Sequence, residues 1–170
     1  MNVKIVNKSR NPLPIKSTDN SSGYDIRANL PTLEQLGIDE IHGISGENIE
    51  LIQTLDDIII ISVGTMGRAI ISTGLFVEIP KGYHLEIVSR SGLASQGIII
   101  TNSPGIIDSD YRGEIKLLLT NLSNRNFIIT HGDKLAQMLL VKDVDIEWNV
   151  TNELTDTKRN KGGLGSTGLN

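Results

Sequence analysis

Apolar positions in this chain come in short bursts separated by residues that turn the backbone. Val3-Lys4-Ile5-Val6 alternates as an opening strand does, and Asn11-Pro12-Leu13-Pro14 stops any regular element after it. Further strands are predicted over residues 58–63, 69–72, 75–79, 83–88, 98–101, 114–121, 126–130 and 138–141. Turn chemistry separates most of them: Pro80-Lys81-Gly82, Ser91-Gly92, Ser103-Pro104-Gly105, Ser123-Asn124 and His131-Gly132-Asp133. So many short strands leave edges to be paired or wrapped, which points to a β-sandwich or jelly roll.

Two stretches break the rhythm. Residues 30–57 mix acids, glycines and scattered Leu and Ile; they read as an insertion, with a short helix predicted from Thr32 as its N-cap into Leu33-Glu34-Gln35-Leu36. Residues 155–170 carry Lys158, Arg159, Lys161 and four glycines but only two leucines, too little apolar surface to hold a place in a core. The chain therefore divides into a folded body, 1–154, and a flexible arm, 155–170.

Composition sharpens this picture. Twenty-five isoleucines stand against six aromatic residues, and β-branched side chains suit a pleated, half-buried surface. At 170 residues the chain has room for one domain. With 16 basic and 20 acidic residues the net charge is −4, which argues against a nucleic-acid partner, because phosphate neutralisation needs a clustered basic surface. The absence of cysteine removes disulfides and zinc–sulfur sites. No stretch approaches the ~18 apolar residues of a membrane span, and no long apolar segment follows the first residues to make a signal peptide. The expectation is a cytoplasmic protein, or one inside a host cell if the source is viral, with no membrane partner.

Gly163-Leu164-Gly165-Ser166-Thr167-Gly168 matches G-x-G-x-x-G, but the dinucleotide motif needs a strand before it and a helix after it, and only two residues follow. Glycines beside Arg159 and two hydroxyls still suit the wrapping of a phosphate by backbone N–H groups.

Five segments belong together: Gly23-Tyr24-Asp25-Ile26-Arg27-Ala28, Ser89-Arg90-Ser91-Gly92-Leu93-Ala94, the run from Gly105-Ile106-Ile107-Asp108 through Ser109-Asp110-Tyr111-Arg112-Gly113-Glu114-Ile115, Gly132-Asp133-Lys134-Leu135-Ala136-Gln137-Met138, and Arg159 through Gly168. In that order they resemble the five motifs of the trimeric dUTPases. The resemblance implies an all-β jelly roll that forms a homotrimer, with active sites assembled from several subunits and the C-terminal arm closing over a neighbour's site. It also implies hydrolysis of dUTP to dUMP and pyrophosphate, which lowers dUTP and supplies dUMP for dTMP synthesis.

That reaction sets a water in line with the α-phosphorus while neutralising triphosphate charge. By resemblance, Asp108 is the base that orients and deprotonates the water. Tyr111 lies against the deoxyribose and leaves no room for a 2′-hydroxyl. The hairpin over residues 101–111, with Gly105, Ile107 and the Asn102 amide, reads uracil through its donors and acceptors, because cytosine reverses that pattern at positions 3 and 4. Arg90, Ser91, Gly92 and Gln137 match phosphate-contacting positions, and Arg159, Gly163, Leu164, Ser166 and Thr167 form the closing arm, with arginine's planar fork suited to the γ-phosphate. Mg²⁺ is the expected cofactor, held mainly by substrate phosphates with no direct protein ligand, and Asp25 has a site-organising role. His42, His84 and His131 lack metal-ligand spacing and read as structural or solvent-facing.

The sequence departs from the family in places. Leu164 stands where a phenylalanine usually stacks on uracil, and base–aromatic stacking is worth ~1–3 kcal/mol. Ser89 replaces the proline that usually opens the second motif. The 30–57 insertion lengthens the first interval by ~25 residues; it is a candidate surface for a protein partner or simple decoration of a trimer. Three other readings stand beside the enzyme: a dUTP-binding sensor, a dCTP deaminase-like enzyme of the same fold, and a structural jelly roll without nucleotide.

Overall fold

The computed structural model describes residues 1–32, 45–54 and 59–163. They are almost wholly β. The strands are β1 (Lys4–Asn7), β2 (Tyr24–Arg27), β3 (Ser45–Gln53), β4 (Ile59–Ser72), β5 (Leu75–Glu78), β6 (Tyr83–Ser89), β7 (Ile98–Ile100), β8 (Gly105–Ile107), β9 (Lys116–Asn121), β10 (Phe127–Ile129) and β11 (Lys134–Lys142), with one helical turn, α1 (Ser91–Ala94). No described helix is long and apolar enough to cross a membrane.

One sheet runs β2-β11-β6-β8, a second is organised on β4, and β1 pairs with β5. Along one edge of β4 lies β3; along the other, β10 takes Ile61–Val63 and β9 takes Arg68–Ser72, with β7 outside β9. Alternation decides which side chains meet. Ile26, Leu85, Ile87, Leu135 and Met138 come from the first sheet, and Ile61, Val63, Ile71, Ile98, Ile100, Leu117, Leu119 and Ile129 from the second, into one core. Lys116 and Leu118, one residue out of phase, face outward. The all-β jelly roll expected from the sequence is the fold observed.

Three differences from the sequence reading have physical causes. The strands expected at 58–63 and 69–72 are one strand, β4. It carries through Met66, whose φ is +60°, and through Gly67, where a Cβ would sit 2.7 Å from the Gly64 carbonyl. The fully buried Asn121 binds this stretch, its Nδ2 donating to the carbonyls of Val63 (2.8 Å) and Gly64 (3.2 Å) while its Oδ1 accepts from the Ser123 backbone N–H. Second, part of the segment read as an insertion is β3, whose Ile49 and Leu51 pack on the core while Glu47 and Glu50 stay exposed. Leu30, at the start of that segment, is fully buried. The helix expected after Thr32 lies outside the described residues. Third, β2 and β8 are strands too short to stand out as apolar runs.

Beyond β11 the chain leaves the sheet. Val144, Ile146, Trp148 and Val150 alternate with Asp145, Glu147 and Asn149 yet are 68–93% exposed. Among the described residues, the hydrogen bonds of 144–163 are all local, such as Thr151 Oγ1 to the Glu153 carbonyl and Asn160 Nδ2 to Asp156.

Candidate active site

Asp25 sits on β2, the end strand of its sheet, opposite Gln137 of β11, with a side chain only 2% exposed. A buried carboxylate needs partners, and it has four. Lys134 Nζ reaches Oδ2 at 2.7 Å and Ser17 Oγ donates to the same oxygen at 3.1 Å. Arg90 Nε stands 3.2 Å from Oδ1, and Gln137 Nε2 donates to it at 3.4 Å. Burial pushes this carboxyl up, but Lys134, Ser17, Gln137 and the Arg90 charge together hold it below the usual value of 3.8. Arg90 Nη1 also donates to the Lys134 carbonyl at 2.9 Å, so the two cations are tied to each other as well as to Asp25.

Lys134 lay within the fourth quoted segment without a role, and the fold shows why it belongs. The β2–β11 register shifts between Lys134 and Ala136, so Lys134 and Gln137, three apart, serve the same face as Asp25. The same irregularity shows in the burial of both Leu135 and Ala136, neighbours that a regular strand would send to opposite faces. Gly23 completes the fit: a Cβ there would come within 3.0–3.1 Å of the Gln137 side chain.

Ser91 and Gly92 open α1 directly after Arg90 and are exposed. A Cβ on Gly92 would meet nothing within 4 Å, so nothing among the described residues requires a glycine there. Ser89 does what a proline could not. Its Oγ accepts the Ile100 backbone N–H at 2.8 Å, joining β6 to β7, and its own N–H points at Ser103 Oγ at 3.4 Å.

Residues 101–111 do not pair as the expected hairpin: β8 within them runs along β6, with Gly105 opposite Ile87 and Ile107 opposite Leu85, while β7 before them pairs with β9 in the other sheet. Asn102 folds over Gly105, where a Cβ would lie 2.9 Å from its Nδ2. Asp108 follows at the other end, in a groove of about 840 Å³ shared with Lys81, His84, Ser109, Arg112 and Asp143. Its carbonyl accepts the Tyr111 N–H at 3.2 Å, and among the described residues nothing hydrogen-bonds its carboxylate. In the same groove, His84 is pinned to Asp143 at 2.5 Å and stands 3.6 Å from Glu86; the Asp143 hydrogen bond raises its pKa above 6.5. His131 accepts the Leu30 N–H through Nδ1 at 3.2 Å, and His42 lies outside the described residues.

The described residues thus make two groups rather than one site. Asp108 follows Ile107, which pairs with Leu85, whereas Gln137 pairs with Val88. Four residues along a strand span ~13 Å and two strand spacings ~10 Å, so the backbones at Asp108 and Gln137 stand roughly 16 Å apart. Arg159 and Gly163 are exposed on the extended segment, while Leu164, Ser166 and Thr167 lie outside the described residues.

The profile of the dUTPase family matches residues 52–168. The deoxyuridine 5′-triphosphate nucleotidohydrolase of Finegoldia magna is 42% identical over 169 residues, 99% of each chain. That of Anaplasma marginale is 43% identical over 121 residues, covering 71% of this chain and 81% of its own. Among solved structures, a point mutant of the dUTPase of Staphylococcus bacteriophage 80alpha with dUpNHpp superposes with a TM-score of 0.73 at 19% identity, over 99% of both chains. The dUTPase of phage phi11 of S. aureus, described with a structural Mg(II) ion, gives 0.67 at 20% identity over 92% of this chain and 100% of its own.

Proposed function

The chain belongs to the dUTPase family, and from that premise we propose that it hydrolyses dUTP to dUMP and pyrophosphate, with Asp108 holding the attacking water. The observation that carries the reading is the Asp25 cluster, in which one buried carboxylate fixes Arg90, Lys134 and Gln137 beside the exposed Ser91 and Gly92. Two oriented cations, an amide and a helical turn opened by the Ser91 hydroxyl and the side-chain-free Gly92 suit a chain of phosphates.

Water attacks the α-phosphorus, the bond from that phosphorus to the bridging oxygen breaks, and pyrophosphate leaves; the water's proton passes to Asp108, whose carboxylate has no other partner among the described residues. Backbone groups of the 101–111 segment and the Asn102 amide read uracil, with Gly105 and Ile107 on its strand β8, and Tyr111 covers the sugar. Arg159, Gly163, Leu164, Ser166 and Thr167 close over the triphosphate. Both oxygens of Asp25 are occupied by Lys134, Ser17, Arg90 and Gln137, so that carboxylate suits water-mediated rather than direct contact with Mg²⁺. Mg²⁺ on the substrate supplies neutralisation of phosphate charge.

Assembly as a homotrimer is part of the same reading, and two observations support it. The ~16 Å between the Asp108 and Gln137 backbones exceeds what one phosphate centre can bridge, so the working site takes its halves from different copies. The exposed alternation of Val144, Ile146, Trp148 and Val150 is apolar surface that a neighbouring copy can cover. The test is pyrophosphate release from dUTP, dCTP, dTTP and UTP with Mg²⁺, alongside native mass. Selective release from dUTP by a trimer is expected; ammonia released from dCTP, dUTP bound but not cleaved, or an active monomer would overturn the reading.

A further inference from the structure

We propose that Gly113 is a positioning residue for sugar discrimination, kept free of a side chain so that the Tyr111 ring folds back across the turn and fastens its hydroxyl to the Glu114 carbonyl. The inference rests on Tyr111 lying against the sugar, as proposed above, and adds what holds the ring there.

Tyr111 is 44% exposed, so packing alone does not fix it. Its hydroxyl donates to the Glu114 backbone carbonyl at 3.0 Å. That anchor is itself held: the Glu114 carboxylate accepts the N–H groups of Gly74 (2.7 Å) and Thr73 (3.1 Å) and the Ser72 hydroxyl, and the next N–H, of Ile115, donates to the Leu75 carbonyl at 2.8 Å. Arg112 closes the turn from the other side, its Nη1 donating to the carbonyls of Ser109 (2.7 Å) and Tyr111 (2.9 Å).

Gly113 lies inside this loop, and its backbone is not left-handed, so the chain itself would accept an alanine. The ring would not. A Cβ on Gly113 would stand 2.3 Å from Tyr111 Oη, 2.5 Å from Cζ and 2.9 Å from Cε2, all far inside contact distance. A half-exposed ring relieves that overlap by swinging into solvent. The core loses nothing, but the hydroxyl leaves its carbonyl and the wall that excludes a 2′-hydroxyl goes with it.

The experiment measures kcat/KM for dUTP and UTP, with Mg²⁺, on the full-length wild type, Gly113→Ala and Tyr111→Phe, together with thermal unfolding. Gly113→Ala should lower the dUTP-to-UTP ratio by about tenfold or more while the melting temperature stays close to wild type. Tyr111→Phe, which keeps the ring and removes only the tether, should lower the ratio in the same direction by less. Equal slowing of both substrates with an unchanged ratio marks a merely structural glycine and overturns the proposal. Should Gly113→Ala not fold, an unchanged ratio in Tyr111→Phe does the same. A wild type that cleaves dUTP and UTP alike refutes it directly, whereas a wild type that leaves dUTP intact refutes the activity itself and this inference with it.

Discussion

Replacing Asp25 by Asn keeps the size of the side chain and removes the charge around which Lys134, Arg90, Gln137 and Ser17 are arranged. An amide offers one oxygen where two were used, and its NH₂ faces a cation that also donates. Breaking a fully buried ion pair costs about 3–5 kcal/mol. Here the Lys134 and Arg90 side chains are each 32% exposed, so water recovers part of the loss, and about 2 kcal/mol is expected. For a chain of this size that lowers the melting temperature by about 4–8 °C, measured at one fixed protein concentration so that the proposed trimer contributes equally to both proteins. The pH dependence provides a second check. A carboxyl held below 3.8 in the folded state stabilises fully above that value, and its contribution disappears as pH falls through the lower folded value. The gap between wild type and Asp25→Asn should therefore be constant near neutrality and narrow below pH 3.8. A gap under about 1 °C at pH 7, or one that does not narrow in acid, would refute the organising role of Asp25.

Asp108→Asn should cut kcat by about 10²–10⁴ while leaving KM near wild type, since only a carboxylate takes the proton; matched losses in binding and turnover would argue for a structural aspartate. His131 is held below 6.5 by burial and the Arg10 charge, and its Nδ1 lone pair takes the Leu30 N–H. The unfolded chain therefore gains a proton first, so stability should fall as pH drops from 6.5 toward the lower folded value; the non-titrating His131→Asn should flatten that slope, and identical slopes would count against it. Ending the chain after Asp156 should leave the melting temperature close to wild type but reduce turnover by about tenfold or more, because the described residues beyond it contribute no core; loss of folding would contradict the role given to the arm.

Much of the β architecture could be read from the sequence because isoleucine-rich alternation and turn residues agree over most of it. Residues 98–101, 75–79 and 83–88 mark β7, β5 and β6 to within a residue or so. Failures came where polarity has a local reason. β2 is short and contains a buried Asp25, so it shows no apolar run; β3 exposes its acids and half-buries Ile49 and Leu51, so its alternation is diluted. Gly64 and Gly67 look like a turn between two strands, but one continuous strand uses them to pass Asn48 and the Gly64 carbonyl closely. At the site, the identities of Asp25, Arg90 and Gln137 were visible in their motifs. Lys134's place beside them was not, because it depends on an irregularity in β11 that changes which face a residue serves.

Trp148 is the sole indole in the chain, and it is 81% exposed on the segment beyond β11. Intrinsic fluorescence excited at the indole band therefore reports on whether that segment is covered, and is blind to the isoleucine-rich interior. Far-UV circular dichroism, in contrast, follows the sheets. A melt watched by both should show the emission changing with subunit concentration ahead of the ellipticity, and that lack of coincidence would record dissociation rather than a partly folded intermediate.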